Sequence, residues 1–405
     1  MSAISASDAP PLEAGTRPRV FDVRVATTVE EVEEAWATLE GKGGASAYQS
    51  RRFLKPWIAH MAPALGVAPR IGLALDASGR PAALLPFGLT KRGLLRAAVF
   101  LGGRDANLNL PLVDPALSVS RAEAAALLKL YAARVSPRPD VLILLNQPAA
   151  WGGRPNPFTP PHASPSPSAA YQGTLGTDAQ AFLDARTSRA ARKKLKAKAA
   201  KLAEIGAIDM RRACGVDERR DVLHALLDQK QRRFAAKGID AGLHRPHARA
   251  FYEALIAGDP AAFDLYALRV DGRVAAAYAG LPNGRHWHGL INAFDDQVAI
   301  ARCSPGELLL RHVVADLGAR GITGFDLGIG EARYKDALCD ETVALADAIL
   351  PLTVRGRAFA AGETLRLAAK RRIKQTPWAF AALRKIQAAR PASRREGTGE
   401  AVAGD

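Results

Sequence analysis

The sequence predicts a mixed α/β (α+β) chain in which one structural unit occurs twice, and three observations carry that expectation. Apolar residues recur with strand-like alternation and with helical spacing by turns along the chain. The segment PRIGLALDASGRPAALLPFGLTKRGLLRAAVFLGG has a counterpart in FDLYALRVDGRVAAAYAGLPNGRHWHGLINAFDD, and Leu75-Asp76 before Gly79-Arg80 is echoed by Val270-Asp271 before Gly272-Arg273. Finally, 405 residues suffice for two cores of ordinary size.

Taken in order, residues 1–18 are small, polar and Pro-bearing and read as disordered. Val20 to Thr27 alternates like a half-buried strand, and Val29, Val32, Trp36 and Leu39 then fall at helical spacing. Strand, turn at Ser78-Gly79, strand, turn near Lys91 to Gly93 and strand follow, then a helix from Arg121 to Val135 and the apolar strand Pro139 to Asn146. These make a first half over 19–150. Residues 151–172, with six prolines between Pro155 and Pro167, read as an extended connector. In the second half, 173–355, TDAQAFLDAR, the basic stretch after it and ERRDVLHALLDQKQRRFAAKG read as helices. The repeated strands come next, then a helix from Gly306 to Arg320 and the strand Thr323 to Gly330. A basic helical tail, 356–405, closes the chain, disordered from Pro391.

With 56 Lys and Arg against 40 Asp and Glu, the net charge is +16, on a chain that is 48% hydrophobic. This is a globular composition, not a fibrous or disordered one. Three scattered cysteines, Cys214, Cys303 and Cys339, provide neither a disulfide framework nor a CxxC metal site, which suits a reducing, cytoplasmic location. Neither a leader-like N-terminus nor an apolar run of membrane-spanning length is visible. The basic excess is concentrated: eight basic residues and no acid lie between Arg186 and Lys201, and twelve against Glu363 alone from Arg355 to Arg395. Such stripes either grip nucleic acid, anionic lipid or a polyphosphate, or are solvated helix faces.

Five segments, SRAARKKLKAKAAKLAEIG, LLDQKQRRFAAKG, LYALRVDGRVAAAYAG, SPGELLLRHVVADLGARGITGFDLGIG and the following ARYK, resemble in this order the CelD/BcsL-type branch of the GNAT acyltransferase superfamily. That branch is related to the FemAB aminoacyl transferases, and the resemblance spans about residues 20–350. It implies tandem GNAT-like halves, each a mixed β-sheet flanked by helices. It also implies acyl transfer from coenzyme A to an amine or hydroxyl acceptor such as a cell-envelope or polysaccharide precursor. In such enzymes the strand-to-helix turn after RHWHGLINAFD cradles the donor's pyrophosphate, which here points to Ser304, Pro305, Gly306, Glu307 and Leu308. The residues make independent chemical sense: Ser304 can cap, Pro305 fits the first helical position, Gly306 lets a phosphate approach, and the helix end attracts an anion. The turn lacks the first glycine of the common GNAT loop, so a charged-tRNA donor, as in the FemAB relatives, stays open. The resemblance also makes Tyr334 the acid for the departing thiolate.

Asp326 and Glu331, at the end of the strand FDLGIG and just after it, are candidates for base or for orienting the acceptor, and Lys335 for meeting a phosphate or one of these acids. His286 and His288 share one strand face, which makes His288 a further base candidate. Two histidines with no third ligand in view do not make a zinc site, so no metal is expected. His244 and His247, around Pro246, read as surface loop residues, and Cys303 as a small apolar residue. A third function class is a scaffold whose tail around Trp378 and Phe380 docks on an anionic membrane.

Overall fold

The computed structural model describes residues 21–43 and 45–376, so the N-terminal stretch, Trp378, Phe380 and the end of the tail lie outside the described residues. The first half contains β1 (Asp22–Ala26), α1 (Glu33–Gly41), α2 (Arg51–Ala64), β2 (Val67–Pro69), β3 (Ile71–Leu75), β4 (Pro81–Leu85), β5 (Phe87–Arg92), β6 (Leu95–Phe100), β7 (Leu112–Val113), α3 (Arg121–Arg134) and β8 (Val141–Pro148). A connecting stretch carries the short strands β9 (Ala150–Trp151), β10 (Arg154–Pro155) and β11 (Ser164–Pro165). The second half begins with β12 (Ala170–Thr174), α4 (Ala179–Ala185), α5 (Arg189–Ala203), β13 (Ile208–Arg212), α6 (Val216–Ala236) and α7 (Pro246–Ala257). It continues through β14 (Asp264–Val270), β15 (Arg273–Asn283), β16 (His286–Phe294), α8 (Val298–Ala301), α9 (Pro305–Ala319), β17 (Gly324–Ile329), α10 (Arg333–Leu338) and β18 (Glu341–Val343). Last come β19 (Leu345–Pro351) and α11 (Val354–Gln375).

Each half is a mixed β structure flanked by helices, with one parallel pair apiece: β6 with β8, and β16 with β17. The second half is a single seven-stranded sheet in the order β13-β14-β15-β16-β17-β12-β18. In the first half the strands fall into two sheets, β1-β3-β4-β7 and β11-β19-β8-β6-β5-β2. The break comes at Pro86, between β4 and β5, where the backbone has no N–H to extend a ladder. β19 follows the seven-stranded sheet in sequence but joins the six-stranded one, pairing antiparallel with β8.

Of the helices that the sequence does not announce, α2 and α7 are the longest. α2 carries Pro56 and Pro63 internally, which obscures its helical signal, yet Ser50 caps it by accepting from Phe53 N, and Phe53, Leu54 and Trp57 are buried along one face. α7 starts at Pro246, whose missing N–H costs nothing at the first helical position, so His247 sits in a helical first turn, not a loop. α2 and α7 meet across the halves, with Phe53 edge-on to Phe251 at 5.6 Å. One hydrophobic core runs from Trp36 and Trp57 through Leu226 and Phe251 to Ala277 and Ala293, so the halves share their interior. A second core, with Trp287, Leu309, Val313 and Phe325, fills the opposite face of the seven-stranded sheet beneath α9.

Candidate active site

The parallel ladder between β16 and β17 is short, pairing only His286 with Gly324, Trp287 with Phe325 and His288 with Asp326. Beyond that register the two strands no longer pair, which leaves an unbridged gap in the ladder. A bulge on β16 helps to separate them: Gly280 faces Gly289, but Ala279 faces Ile291, so Leu290 is extra. An extra residue flips the alternation. His288 therefore faces the first half, whereas Phe294 packs on the α9 side.

At the mouth of this gap His288 and Asp326 are both fully buried, and His288 Nδ1 is hydrogen-bonded to Asp326 Oδ2. The other carboxylate oxygen, Oδ1, accepts from Gly328 N at 2.8 Å. Gly328 has φ +74°, and a Cβ there would lie 2.5 Å from Asn107 Nδ2. Asn107 in turn donates to Tyr48 Oη (2.6 Å) and to the Gly289 carbonyl (3.2 Å), which also accepts from Tyr48 at 3.1 Å. Burial and the nearby Asp326 charge hold the Tyr48 phenol well above its ordinary pKa, so it remains a neutral donor. Trp151 stacks on His288, with centroids 5.5 Å apart, and meets His286 edge-on. Burial and the neighbouring His288 push His286 down to about 4, keeping it neutral. Tyr48 and Asn107 of the first half and Trp151 of the connecting stretch are residues that sequence reasoning did not single out. Asn107 falls in the turn GGRDANLNL, whose place opposite β16 is a consequence of the tertiary fold.

The turn into α9 departs from its expected form in two respects. Ser304 does not cap the helix: its backbone is left-handed (φ +53°), and its hydroxyl accepts from Lys198 Nζ of α5 at 2.6 Å. That backbone turns the side chain away from the first-turn amides, while the Ser304 carbonyl accepts from Glu307 N and Leu308 N. Pro305 is the first helical residue as expected. A Cβ on Gly306 would approach Phe294 to 3.3 Å, so its smallness is first a matter of packing on β16. Cationic groups converge here: Lys198 lies 3.9 Å from Glu307, Arg233 sits over the Phe294 ring at 3.9 Å, and Lys230 reaches Asn292 at 3.5 Å. Cys303 is buried, as a small apolar residue would be.

On the same side Tyr334 is hydrogen-bonded to Tyr278 and Asn292, and burial raises its pKa, so the phenol stays protonated. Lys335 is only 4% exposed and donates to the carbonyls of Gly328 (3.3 Å) and Ile329 (3.0 Å). It lies with Asp326 and not with the α9 turn; burial lowers it to about 8, against the attraction of Asp326. Glu331 is exposed on the connection between β17 and α10. The structure thus brings His288 and Asp326 to one side of the gap and Tyr334 and the turn 304–308 to the other, with Lys335 at the end of β17 over the Tyr171 ring.

Residues 189–336 match a family model described as an acetyltransferase (GNAT) domain. No curated protein sequence matches the chain significantly. Among solved structures the chain is similar to FemX (TM-score 0.55, 10% identity, covering 81% of this chain and 97% of that one). It is also similar to a conserved protein of unknown function from Bacteroides thetaiotaomicron VPI-5482 (TM-score 0.53, 12% identity, covering 81% and 100%). At such identities the likeness is one of fold. No described helix is long and apolar enough to cross a membrane.

Proposed function

We propose that this chain is an acyltransferase of the CelD/BcsL kind that moves an acyl group from acyl-CoA to an amine or hydroxyl, such as that of a cell-envelope or polysaccharide precursor. One observation carries it most: the parallel ladder of the matched domain ends immediately after a buried His-Asp pair, with a helix start and several cations at the far side of the gap. The donor's phosphates lie at residues 304–308 beside Lys198, and its thioester enters between β16 and β17. The acceptor approaches from the first-half side.

In this reading His288 Nε2 takes the acceptor's proton as the nitrogen or oxygen attacks the thioester carbon. Asp326 holds the imidazole by its Nδ1–H and stabilises the imidazolium that forms. The carbon–sulfur bond breaks as the tetrahedral centre collapses, and the Tyr334 phenol protonates the thiolate. Isothermal titration with acetyl-CoA and longer acyl-CoAs tests the donor site. Binding should disappear in Gly306→Trp and weaken about tenfold in Lys198→Ala, the size of one charge-assisted phosphate contact. Unchanged affinity in both variants would remove the donor from this turn.

A second reading, aminoacyl transfer from charged tRNA, is favoured by one feature: α5 buries only Leu195 and Leu202 and presents Arg189, Lys193, Lys194, Lys196 and Lys201 to solvent. It requires tRNA binding that weakens steeply with salt.

A further inference from the structure

We infer that His286 and His288, backed by Asp326, form a binding site for a borderline divalent transition ion of the zinc class. The sequence places the histidines on one strand face, and the parallel register sets Asp326 behind His288 as the group that orients its ring. Ligand-capable atoms of the three residues all lie within 4.8 Å of one another, and the imidazole centroids are 4.7 Å apart. Nε2 of each ring is buried and has no hydrogen-bond partner. Two buried, unpaired imidazole nitrogens on neighbouring rings leave a desolvation cost that a bound cation would offset.

The arrangement behind them is the one metal-ligating histidines use. His288 gives its Nδ1–H to the Asp326 carboxylate, which fixes the tautomer and leaves Nε2 with a free lone pair. Gly324 makes room for the other ring, since a Cβ there would lie 2.7 Å from His286 Nδ1. A surface cavity of about 360 Å³, lined by Gln172, Thr174, Asn283 and His286 among others, reaches the edge of the His286 ring. Imidazole donors suit zinc, cobalt or nickel; magnesium and calcium prefer oxygen cages. Asp326 Oδ1 is already engaged by Gly328 N, so the direct ligands are the two Nε2 atoms, and the other positions are open to water or an incoming ligand. The site does not depend on acyl transfer. If both hold, the ion occupies the nitrogen that would take the acceptor's proton, and zinc inhibits.

The test uses the full chain stripped with chelator, titrated with zinc chloride by calorimetry and with cobalt(II) followed by its visible absorption. One ion per chain is expected, with affinity lowered tenfold or more in His286→Ala and in His288→Ala, and about tenfold in Asp326→Asn. Near-ultraviolet circular dichroism checks that each variant is folded; if His288→Ala is not, the half-buried His286 decides the matter. No binding, or binding that His286→Ala leaves intact, overturns the site. Acetyl-CoA titration of the same preparations separates the two proposals, because donor binding with no metal binding removes only this one.

Discussion

A buried carboxylate must be hydrogen-bonded or it costs heavily, and Asp326 meets that condition with two partners that also aim it. If its role is to hold the His288 tautomer, Asp326→Asn should fold and bind acyl-CoA normally while kcat drops about a hundredfold or more. Steady-state kinetics beside calorimetry measures both, and a change confined to KM would contradict the role. Lys335 allows a second check. Its ordinary value is 10.5, and in the folded chain it lies near 8, so between these pH values the unfolded state binds more protons than the folded one. Stability should therefore rise with pH across that window, and the burden below pH 8 is on the order of 3 kcal/mol. Thermal melts from pH 7 to about 10.5 should show wild type gaining on Lys335→Met; a constant difference would be inconsistent with a buried, depressed lysine. The chemistry-bearing residue types here were visible in the sequence. Their pairing was not, because His288 and Asp326 are 38 positions apart and meet only through a parallel register.

At the scale of elements, the backbone around β17 is tightly specified. Gly328→Ala must adopt a left-handed conformation and push its methyl against Asn107, so it should lower stability by on the order of 2 kcal/mol and reduce activity through Asp326. Chemical denaturation with an assay of residual turnover checks this, and a neutral result would mean that the loop is not held as described. The repeated strands, α6 and α9 were legible because their apolar spacing and turn residues agree with the fold. α2 and α7 were hidden by prolines that the first turn of one helix and the tertiary packing of the other tolerate. The cap at Ser304 was misread because capping propensity describes a residue in extended backbone, and here the chain arrives from α8 in a left-handed turn.

For the whole molecule, the halves exchange structure. β19 follows the seven-stranded sheet but pairs with β8, one core spans both halves, and Tyr48, Asn107 and Trp151 complete the surroundings of His288. Calorimetric unfolding should accordingly give one cooperative transition; two well-separated transitions would contradict a shared interior. This sharing left little trace in the sequence, since apolar periodicity tells which face is buried and not what covers it. The most direct test of the proposed activity is a crystal structure with acetyl-CoA bound. The thioester should lie between β16 and β17, its sulfur within hydrogen-bonding reach of Tyr334 and its diphosphate at residues 304–308 beside Lys198. Acetyl-CoA seated elsewhere, with the gap between these strands closed, would contradict the proposal.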